Sequence, residues 1–215
     1  MGCSTENALM ISNNKKLYFR DESEKYKIIF IIKNPCSSEE SSIYKKLSEY
    51  FIYNYLSTGD IINELYLEKR TDNENYNDIK NGKLMASDEV VEILKNEILK
   101  MKDCKNLLIE GFPRNLDNLN QWKNIMSGIT SLKKILYIKI TKEEMQKRID
   151  EKNKIENFKN YQKYVNQINN FNNEITALIE KCKNDNILIE VDGMQKKKEE
   201  IYQNFFRKFI KNKLF

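Results

Sequence analysis

The chain has 215 residues, 40% of them hydrophobic and 32% charged, which is enough to bury the core of one large domain. It contains no histidine, which excludes Ser-His and Cys-His catalytic pairs and every histidine-ligated metal site. The net charge of +5 rests on lysine, because only five residues are arginine, and we therefore predict no nucleic-acid partner.

The cellular compartment is indicated by hydropathy and by cysteine usage. No run approaches the about 18 apolar residues of a membrane-spanning helix. The cysteines are far apart in the chain and form no C-x-x-C pair, which argues against a disulfide scaffold or a structural zinc. These features predict a reducing, cytoplasmic location.

Strand and helix patterns alternate along the chain after a polar N-terminal segment. Residues 1–25 lack a regular hydrophobic period, and we predict a flexible extension followed by one domain over 26–215. The apolar run Tyr26–Ile32 is typical of a strand buried on both faces. Further strands are predicted at 53–56, 107–109, 135–140 and 187–191, and helices at 41–51, 61–69, 88–101, 142–152, 159–183 and 196–211. This alternation predicts an α/β fold with a parallel sheet covered by helices on both faces.

Three motifs follow predicted strands, at the sheet edge where open α/β folds bind their ligands. Pro35 lies in a loop that leads from the first strand into a helix, a junction that suits phosphate because helix N-termini present free amides. The motif S-T-G-D occupies residues 57–60, and G-F-P-R occupies residues 111–114.

These motifs, in this order and at this spacing, resemble the adenylate kinase and nucleoside-monophosphate kinase family. Residues 81–94 and 145–152 add further similarity, so that the resemblance covers roughly residues 25–209. It implies a P-loop α/β fold with a five-stranded parallel sheet, a monophosphate-binding insert at about 58–90 and a short lid at about 152–161. The family transfers a phosphoryl group between ATP and a nucleoside monophosphate with magnesium.

By this resemblance the monophosphate half is largely retained. Its binding residues map onto Thr58, Gly59, Gly82, Leu84, Gly111 and Arg114, and Asn118 takes the place of a base-binding glutamine. Asn63 replaces the arginine that ends the family's S-T-G-D-x-x-R. The alternative is structural: residues 58–60 would cap a helix and residues 111–114 would form a tight turn.

The phosphate loop, in contrast, departs from the family pattern. It aligns with Lys33, Asn34, Pro35, Cys36, Ser37, Ser38, Glu39, Glu40 and Ser41, and it contains no glycine. Glycines let backbone amides close around phosphates, and the family's phosphate-binding lysine is Glu39 here. One interpretation is a self-capped helix, with Ser37 and Glu40 forming a capping box that places Glu40 in the first turn. The other is a rewired ATP site in which Lys33 replaces the lost lysine.

The remaining catalytic positions are mixed. Arg148 is retained on the helix before the lid, whereas its partner is Lys152 and the last catalytic arginine is missing. Glu110 occupies the position of an aspartate near the magnesium, and residues 192–193 match the adenine side weakly. Were the chain active, Arg114, Arg148 and Lys152 would be its catalytic residues and Mg-ATP its cofactor.

Three functions follow as alternatives. The first is a pseudoenzyme, a monomer that keeps part of the site for AMP or another nucleoside monophosphate; the second is a divergent active kinase. The third is a scaffold that binds a protein and no nucleotide.

The two termini leave their own alternatives open. Gly2 and Cys3 suggest dual acylation, but Glu6 occupies a position where the motif requires Ser or Thr, which favours an unmodified tail. The aromatic and basic C-terminal segment would either lie on a membrane or, as we favour, pack on the sheet through its phenylalanines.

Overall fold

The fold was analysed in a computed structural model that describes residues 25–35, 40–69, 85–101, 105–156, 161–194 and 197–214. The predictions for Gly2, Cys3, Cys36, Ser37, Ser38, Glu39, Gly82 and Leu84 lie outside these residues.

A five-stranded parallel sheet forms the centre of the molecule. Its strands are β1 (Tyr26–Ile32), β2 (Asn54–Ser57), β3 (Asn106–Glu110), β4 (Thr130–Lys139) and β5 (Leu188–Asp192). They are arranged in the order β2-β3-β1-β4-β5. Because every pairing is parallel, the carboxyl ends of the strands share one edge, and the predicted five-stranded parallel sheet is confirmed.

Helices cover the sheet on both faces. In the described residues they are α1 (Ser41–Phe51), α2 (Thr58–Lys69), α3 (Ser87–Lys100), α4 (Leu116–Met126), α5 (Lys142–Glu156), α6 (Tyr161–Asn184) and α7 (Lys198–Lys211). Two hydrophobic layers result, one on each face of the sheet. Alternate residues of β1 supply both layers, Ile28 and Phe30 on one face and Ile29 and Ile31 on the other, which explains why this strand is a continuous apolar run.

Three elements differ from the prediction. The helix α4 has no counterpart in the sequence analysis, although Asn115 caps its first turn by accepting from the Asn118 amide. The helix α2 begins at Thr58 rather than at residue 61, so the S-T-G-D motif itself starts the helix. The strand β4 begins at Thr130 rather than at residue 135, because its polar first half pairs with the start of β1.

The C-terminal helix packs on the sheet, as the favoured alternative predicts. Phe205 and Phe209 of α7 are fully buried, and the ring of Phe209 stacks on that of Phe51 with 4.9 Å between centroids. This burial contradicts the alternative in which the phenylalanines of the segment lie on a membrane. No helix within the described ranges is long and apolar enough to span a bilayer.

Candidate functional site

A cavity of about 390 Å³ lies at the carboxyl edge of the sheet. The ends of β1, β2 and β3 form its floor, and the helices α2 and α6 form two of its walls. Its lining residues include Lys33, Asn34, Pro35, Gly59, Asn63, Glu110, Gly111, Arg114 and Glu174. The topology thus brings the predicted phosphate-loop and monophosphate residues together at one edge, as expected for ligand binding in open α/β sheets.

On the side of the phosphate loop, Lys33 is held by an internal ion pair. Its Nζ lies 2.6 Å from Oε1 of Glu110, the last residue of β3, and also donates to the Ser41 hydroxyl at 3.2 Å. Ser41 in turn donates to the same Glu110 oxygen at 2.7 Å. Glu110 is only 1% exposed and Lys33 34%, so the ammonium closes over a buried carboxylate. We call these three residues the loop triad.

Arg148 is engaged in the same way. Its Nε donates to Oε1 of Glu144 at 2.9 Å, and its Nη2 donates to the backbone carbonyl of Gly193 at 2.9 Å. Its Nη1 lies 3.9 Å from Oε1 of the buried Glu40. The side chain predicted to clamp a transferred phosphate is therefore surrounded by two carboxylates and a carbonyl.

Glu40 does not take the place that the capping-box interpretation gave it. The helix α1 begins at Ser41, so Glu40 is the residue before the helix rather than part of its first turn, and its side chain makes no capping hydrogen bond. Nearby, the Tyr44 hydroxyl is fully buried. Burial, and next the negative charges of Glu40 and Glu110, raise the pKa of Tyr44 well above its ordinary value.

The backbone around Asn34 is fixed by the sheet. The Asn34 side chain is buried, and its Nδ2 donates to the carbonyl of Ile138 on β4 at 2.8 Å. Asn34 and Pro35 both reach the cavity wall. This tie holds the start of the loop against the neighbouring strand, where a glycine-rich loop would leave its amides open to a phosphate.

The monophosphate side consists of two turns that face each other. Gly111 has φ +82°, a left-handed conformation that favours glycine, and its α-carbon faces the Cβ of Thr58. Arg114 follows in the same turn; its guanidinium is exposed at the cavity, and its Nε approaches the carbonyl of Gly111 at 3.4 Å. Ser57, rather than Thr58, caps α2, because its hydroxyl accepts from the amide of Asp60.

Asn118 serves the fold rather than the cavity wall. Its Oδ1 accepts from the backbone amide of Arg114 at 3.0 Å, and its Nδ2 donates to the Ser87 hydroxyl at 2.7 Å. Asn118 is buried and is not among the described residues that line the cavity. It therefore ties the Arg114 turn to the start of α3.

Lys152 lies apart from the cavity. It is exposed on α5, four residues after Arg148, and is not one of the described lining residues. Residues 157–160, the middle of the predicted lid, are outside the described ranges.

The helix α6 forms one wall of the cavity, a role that the sequence analysis did not assign to it. Its residues Tyr164, Gln167, Asn170, Phe171 and Glu174 line the cavity at helical spacing. Their spacing places these side chains on one face of the helix, but the sequence alone does not show that this face turns toward the strands.

The charged residues that line the cavity carry a net negative charge, which is unusual for a site that would hold several phosphates. Two cations, Lys33 and Arg114, face three carboxylates, Asp60, Glu110 and Glu174, among the described lining residues. Of the two cations, Lys33 is paired with Glu110. Arg114 forms no ion pair within the part of the chain that the structure describes.

A magnesium ion would have to draw on the oxygens of Ser41 and Glu110. Oε1 of Glu110 is already occupied by the Lys33 ammonium and the Ser41 hydroxyl. Oε2 is buried without a hydrogen-bond partner among the described residues and is the oxygen that would remain for the ion. In the described ranges, no group of three or more cysteine or carboxylate side chains converges on a point that could hold a metal ion.

Comparison with known proteins agrees with this architecture. Residues 34–187 match the family model described as adenylate kinase. Because the match covers most of the chain, the protein belongs to the adenylate kinase family of nucleoside-monophosphate kinases.

Several curated relatives carry more particular names. UMP-CMP kinase 1 of Oryza sativa subsp. japonica is 33% identical over 139 residues, which is 63% of this chain and 54% of that protein. UMP-CMP kinase 2 of Caenorhabditis elegans is 29% identical over 118 residues, 53% of this chain and 60% of that protein. An adenylate kinase of Buchnera aphidicola is 31% identical over 120 residues, 55% of this chain and 54% of that protein. The matched segments thus span between about half and three fifths of the length of these relatives.

Proposed function

We propose that this protein binds a nucleoside monophosphate but has lost most or all phosphoryl transfer from ATP. The observation that carries the proposal is that two cations, one in the phosphate loop and one on α5, are neutralised by carboxylates of the same chain. Lys33 is paired with Glu110 at 2.6 Å, and Arg148 is held by Glu144 and faces Glu40. A phosphate entering this side would have to displace both contacts.

The sequence of the loop adds repulsion to this loss. Glu39 takes the position of the family's phosphate-binding lysine, and Glu40 follows it. Two like charges about 4 Å apart repel by about 4 kcal/mol at an effective dielectric constant of about 20. Phosphoryl transfer depends on cations placed around the moving group, and the loss of one such donor typically slows the reaction by about two to three powers of ten.

The monophosphate side keeps one cation for a single phosphate. Arg114 is exposed at the cavity without an ion pair in the described residues, and it follows the left-handed turn at Gly111. A guanidinium can grip a phosphate through two parallel hydrogen bonds. The single positive charge of one arginine balances much of the charge of a monophosphate but only a small part of the charge of a triphosphate.

The names of the relatives suggest which monophosphates to test first. Most of those described are UMP-CMP kinases and one is an adenylate kinase. We therefore expect CMP or UMP to bind, and we include AMP as the purine alternative.

Calorimetric titration of the purified chain tests the proposal. We expect binding of at least one monophosphate and no heat from ATP with magnesium. Arg114→Ala should weaken monophosphate binding by about tenfold to a hundredfold, because a charge-assisted contact contributes about 1.5–3 kcal/mol. Lys133→Ala, an exposed change on β4, is the matched control and should leave affinity unchanged.

The other results of this titration are equally informative. Binding of ATP with magnesium at micromolar to millimolar strength would overturn the proposal in favour of an enzyme. No heat from any nucleotide would overturn it in favour of the protein-binding scaffold.

A divergent active kinase is the second candidate, and one observation favours it. The Ser41 hydroxyl lies 2.7 Å from Glu110, so the hydroxyl and carboxylate that would face a magnesium ion remain adjacent. If this kinase exists, a coupled assay for ADP should detect turnover, Glu39→Lys should raise it and Arg114→Ala should abolish it. Turnover that responds to neither substitution would exclude this candidate.

A further inference from the structure

The exposed large apolar side chains of the described residues are concentrated at one corner of the molecule. They are Tyr50, Ile52 and Ile210, with exposed fractions of 63%, 78% and 49%. The C-terminal ends of α1 and α7 meet there, since Phe51 stacks on Phe209 and the Tyr53 hydroxyl donates to the carbonyl of Leu214 at 3.3 Å. We call this region the α1–α7 corner.

Ile52 is the C-cap of α1, and its backbone amide donates to the carbonyl of Ser48. It ends α1 in the left-handed conformation, with φ 58° and ψ 54°, which costs energy for a β-branched residue and is normally left to glycine. The side chain that bears this cost is the most exposed of the three. The backbone conformation serves to end the helix, since the amide of Tyr53 also donates to the Ser48 carbonyl at 2.8 Å. It is the exposure of the apolar side chain at this position that points to a binding surface.

Basic residues surround the apolar side chains. Arg207, Lys208, Lys211 and Lys213 are exposed on the last turns of α7 and directly after it. Within the described ranges none of the four forms an ion pair. The acidic residue of the same corner is Glu49 on α1, so the corner keeps an excess of positive charge.

The corner lies at the edge of the sheet opposite the cavity. The helix α1 runs from the phosphate loop toward the start of β2, and α7 runs in the same sense after β5. Their C-terminal ends therefore lie at the amino ends of the strands, whereas the cavity lies at the carboxyl ends. A surface bound at this corner would leave the cavity accessible.

We propose that the α1–α7 corner docks the protein on an anionic lipid surface. Apolar side chains that insert at the headgroup level, surrounded by lysines that attract acidic headgroups, are the combination that peripheral membrane binding requires. Charge complementarity selects an anionic surface over a neutral one. This docking differs from a membrane-bound C-terminal helix, because the phenylalanines of α7 stay in the core and only the ends of two helices contact lipid.

Vesicle co-sedimentation of the full chain tests the proposal. The protein should bind phosphatidylcholine vesicles that contain phosphatidylserine and should not bind vesicles of phosphatidylcholine alone. Raising the salt from about 0.1 M to about 0.5 M should release it, because exposed charges are then screened.

Two variants separate the apolar and the basic contributions. Ile52→Gly removes the exposed side chain while suiting the left-handed backbone, so its melting temperature should equal or exceed that of the wild type and its vesicle binding should fall severalfold. Lys211→Gln combined with Lys213→Asn should lower binding by about tenfold; asparagine tolerates the left-handed φ of 51° at position 213.

The matched control is Lys142→Gln combined with Lys147→Gln, which removes the same charge from α5 near the opposite edge. It should leave vesicle binding unchanged, and every variant should keep the wild-type response to monophosphate. Vesicle binding unaffected by the corner variants would overturn the proposal. So would a concentration-dependent dimer that Ile52→Gly dissolves, since a second copy would then cover the corner, or binding to RNA in preference to anionic vesicles.

Discussion

The two sides of the cavity differ in the partners of their cationic side chains. On the loop side, Lys33 turns inward to the buried Glu110, and Arg148 turns to Glu144 and a carbonyl. On the monophosphate side, Arg114 remains exposed at the cavity. Both sides are built at the same edge of one sheet, so their difference does not arise from the fold.

This contrast shows how a cation beside a phosphate-binding loop can be satisfied by groups of the same chain. A buried carboxylate needs a cation or hydrogen-bond donors to remain ionised in the protein interior. In the loop triad, Lys33 and Ser41 provide them from within the chain. Lys33 therefore contributes to stability. Arg114 instead lies exposed at the cavity and forms no ion pair within the described residues, with the negative charge of Glu174 acting on it.

The largest effect on stability should come from removal of the triad ammonium. Lys33→Met leaves Glu110 buried without its counter-ion, and we expect a loss of about 2 kcal/mol, less than for a fully buried pair because Lys33 is partly exposed. Thermal unfolding should show a melting temperature lower by about 4–8 °C, with monophosphate affinity unchanged.

A second substitution serves as the control. Glu110→Gln combined with Lys33→Met removes both charges and should recover most of the lost stability. If Lys33→Met instead left stability intact and abolished nucleotide binding, the contrast between the two sides would be wrong.

The next effect concerns Gly193, whose backbone carbonyl accepts a hydrogen bond from Arg148. A Cβ added to Gly193 would lie 2.3 Å from Cγ2 of Ile138 and 3.3 Å from the carbonyl of Lys139. Gly193→Ala should therefore push β5 away from β4 and cost about 1–2 kcal/mol in urea unfolding. Gly59→Ala is the control, because its added Cβ meets no atom within 4 Å. Equal unfolding midpoints for the two variants would contradict the close packing.

A smaller effect distinguishes a structural from a binding role for Thr58. Its hydroxyl is buried and has no hydrogen-bond partner among the described residues. Thr58→Val keeps the shape of the side chain, and we expect the free energy of unfolding to change by less than about 0.5 kcal/mol. Calorimetry should also give an unchanged monophosphate affinity. A marked loss of affinity with unchanged stability would assign the hydroxyl to the ligand.

The smallest effect is a shift in the titration of Asp150, a residue of α5 that accepts a hydrogen bond from the first residue of α6. The Tyr161 hydroxyl donates to Asp150 at 2.7 Å and, with a second donation from Gln146, lowers the pKa of that carboxyl below its ordinary 3.8. Because the folded-state pKa is depressed, this contact stabilises the protein above the unfolded-state pKa and is lost as the pH falls through the folded-state value. In Tyr161→Phe, an NMR titration should show the pKa of Asp150 moving upward. An unchanged pKa would show that the hydrogen bond is not formed in solution.

Much of the fold could be predicted because the strongest local signals agree with the final structure. The run Tyr26–Ile32 became the central strand β1, and the helix Ser41–Phe51 has the predicted bounds. The helix α4 was missed because its asparagines and aspartate weaken the helical signal, although Leu119, Trp122 and Met126 are buried at helical spacing.

The candidate site could be predicted only in part. The motifs identified the cavity edge and the position of Arg114, since residues after parallel strands meet at one edge. The wall from α6 could not be assigned, because nothing local to Gln167 or Asn170 indicates which face of the helix turns toward the strands.

By itself the sequence determined the class of fold and the family, both of which depend on residue type and local spacing. Only the tertiary structure decided that Lys33 pairs with Glu110, 77 positions later in the chain, and that Glu40 lies against Arg148. An ion pair between distant residues depends on which strands are neighbours and how deeply a carboxylate is buried. These properties arise when β1 is placed between β3 and β4, and no local pattern encodes them.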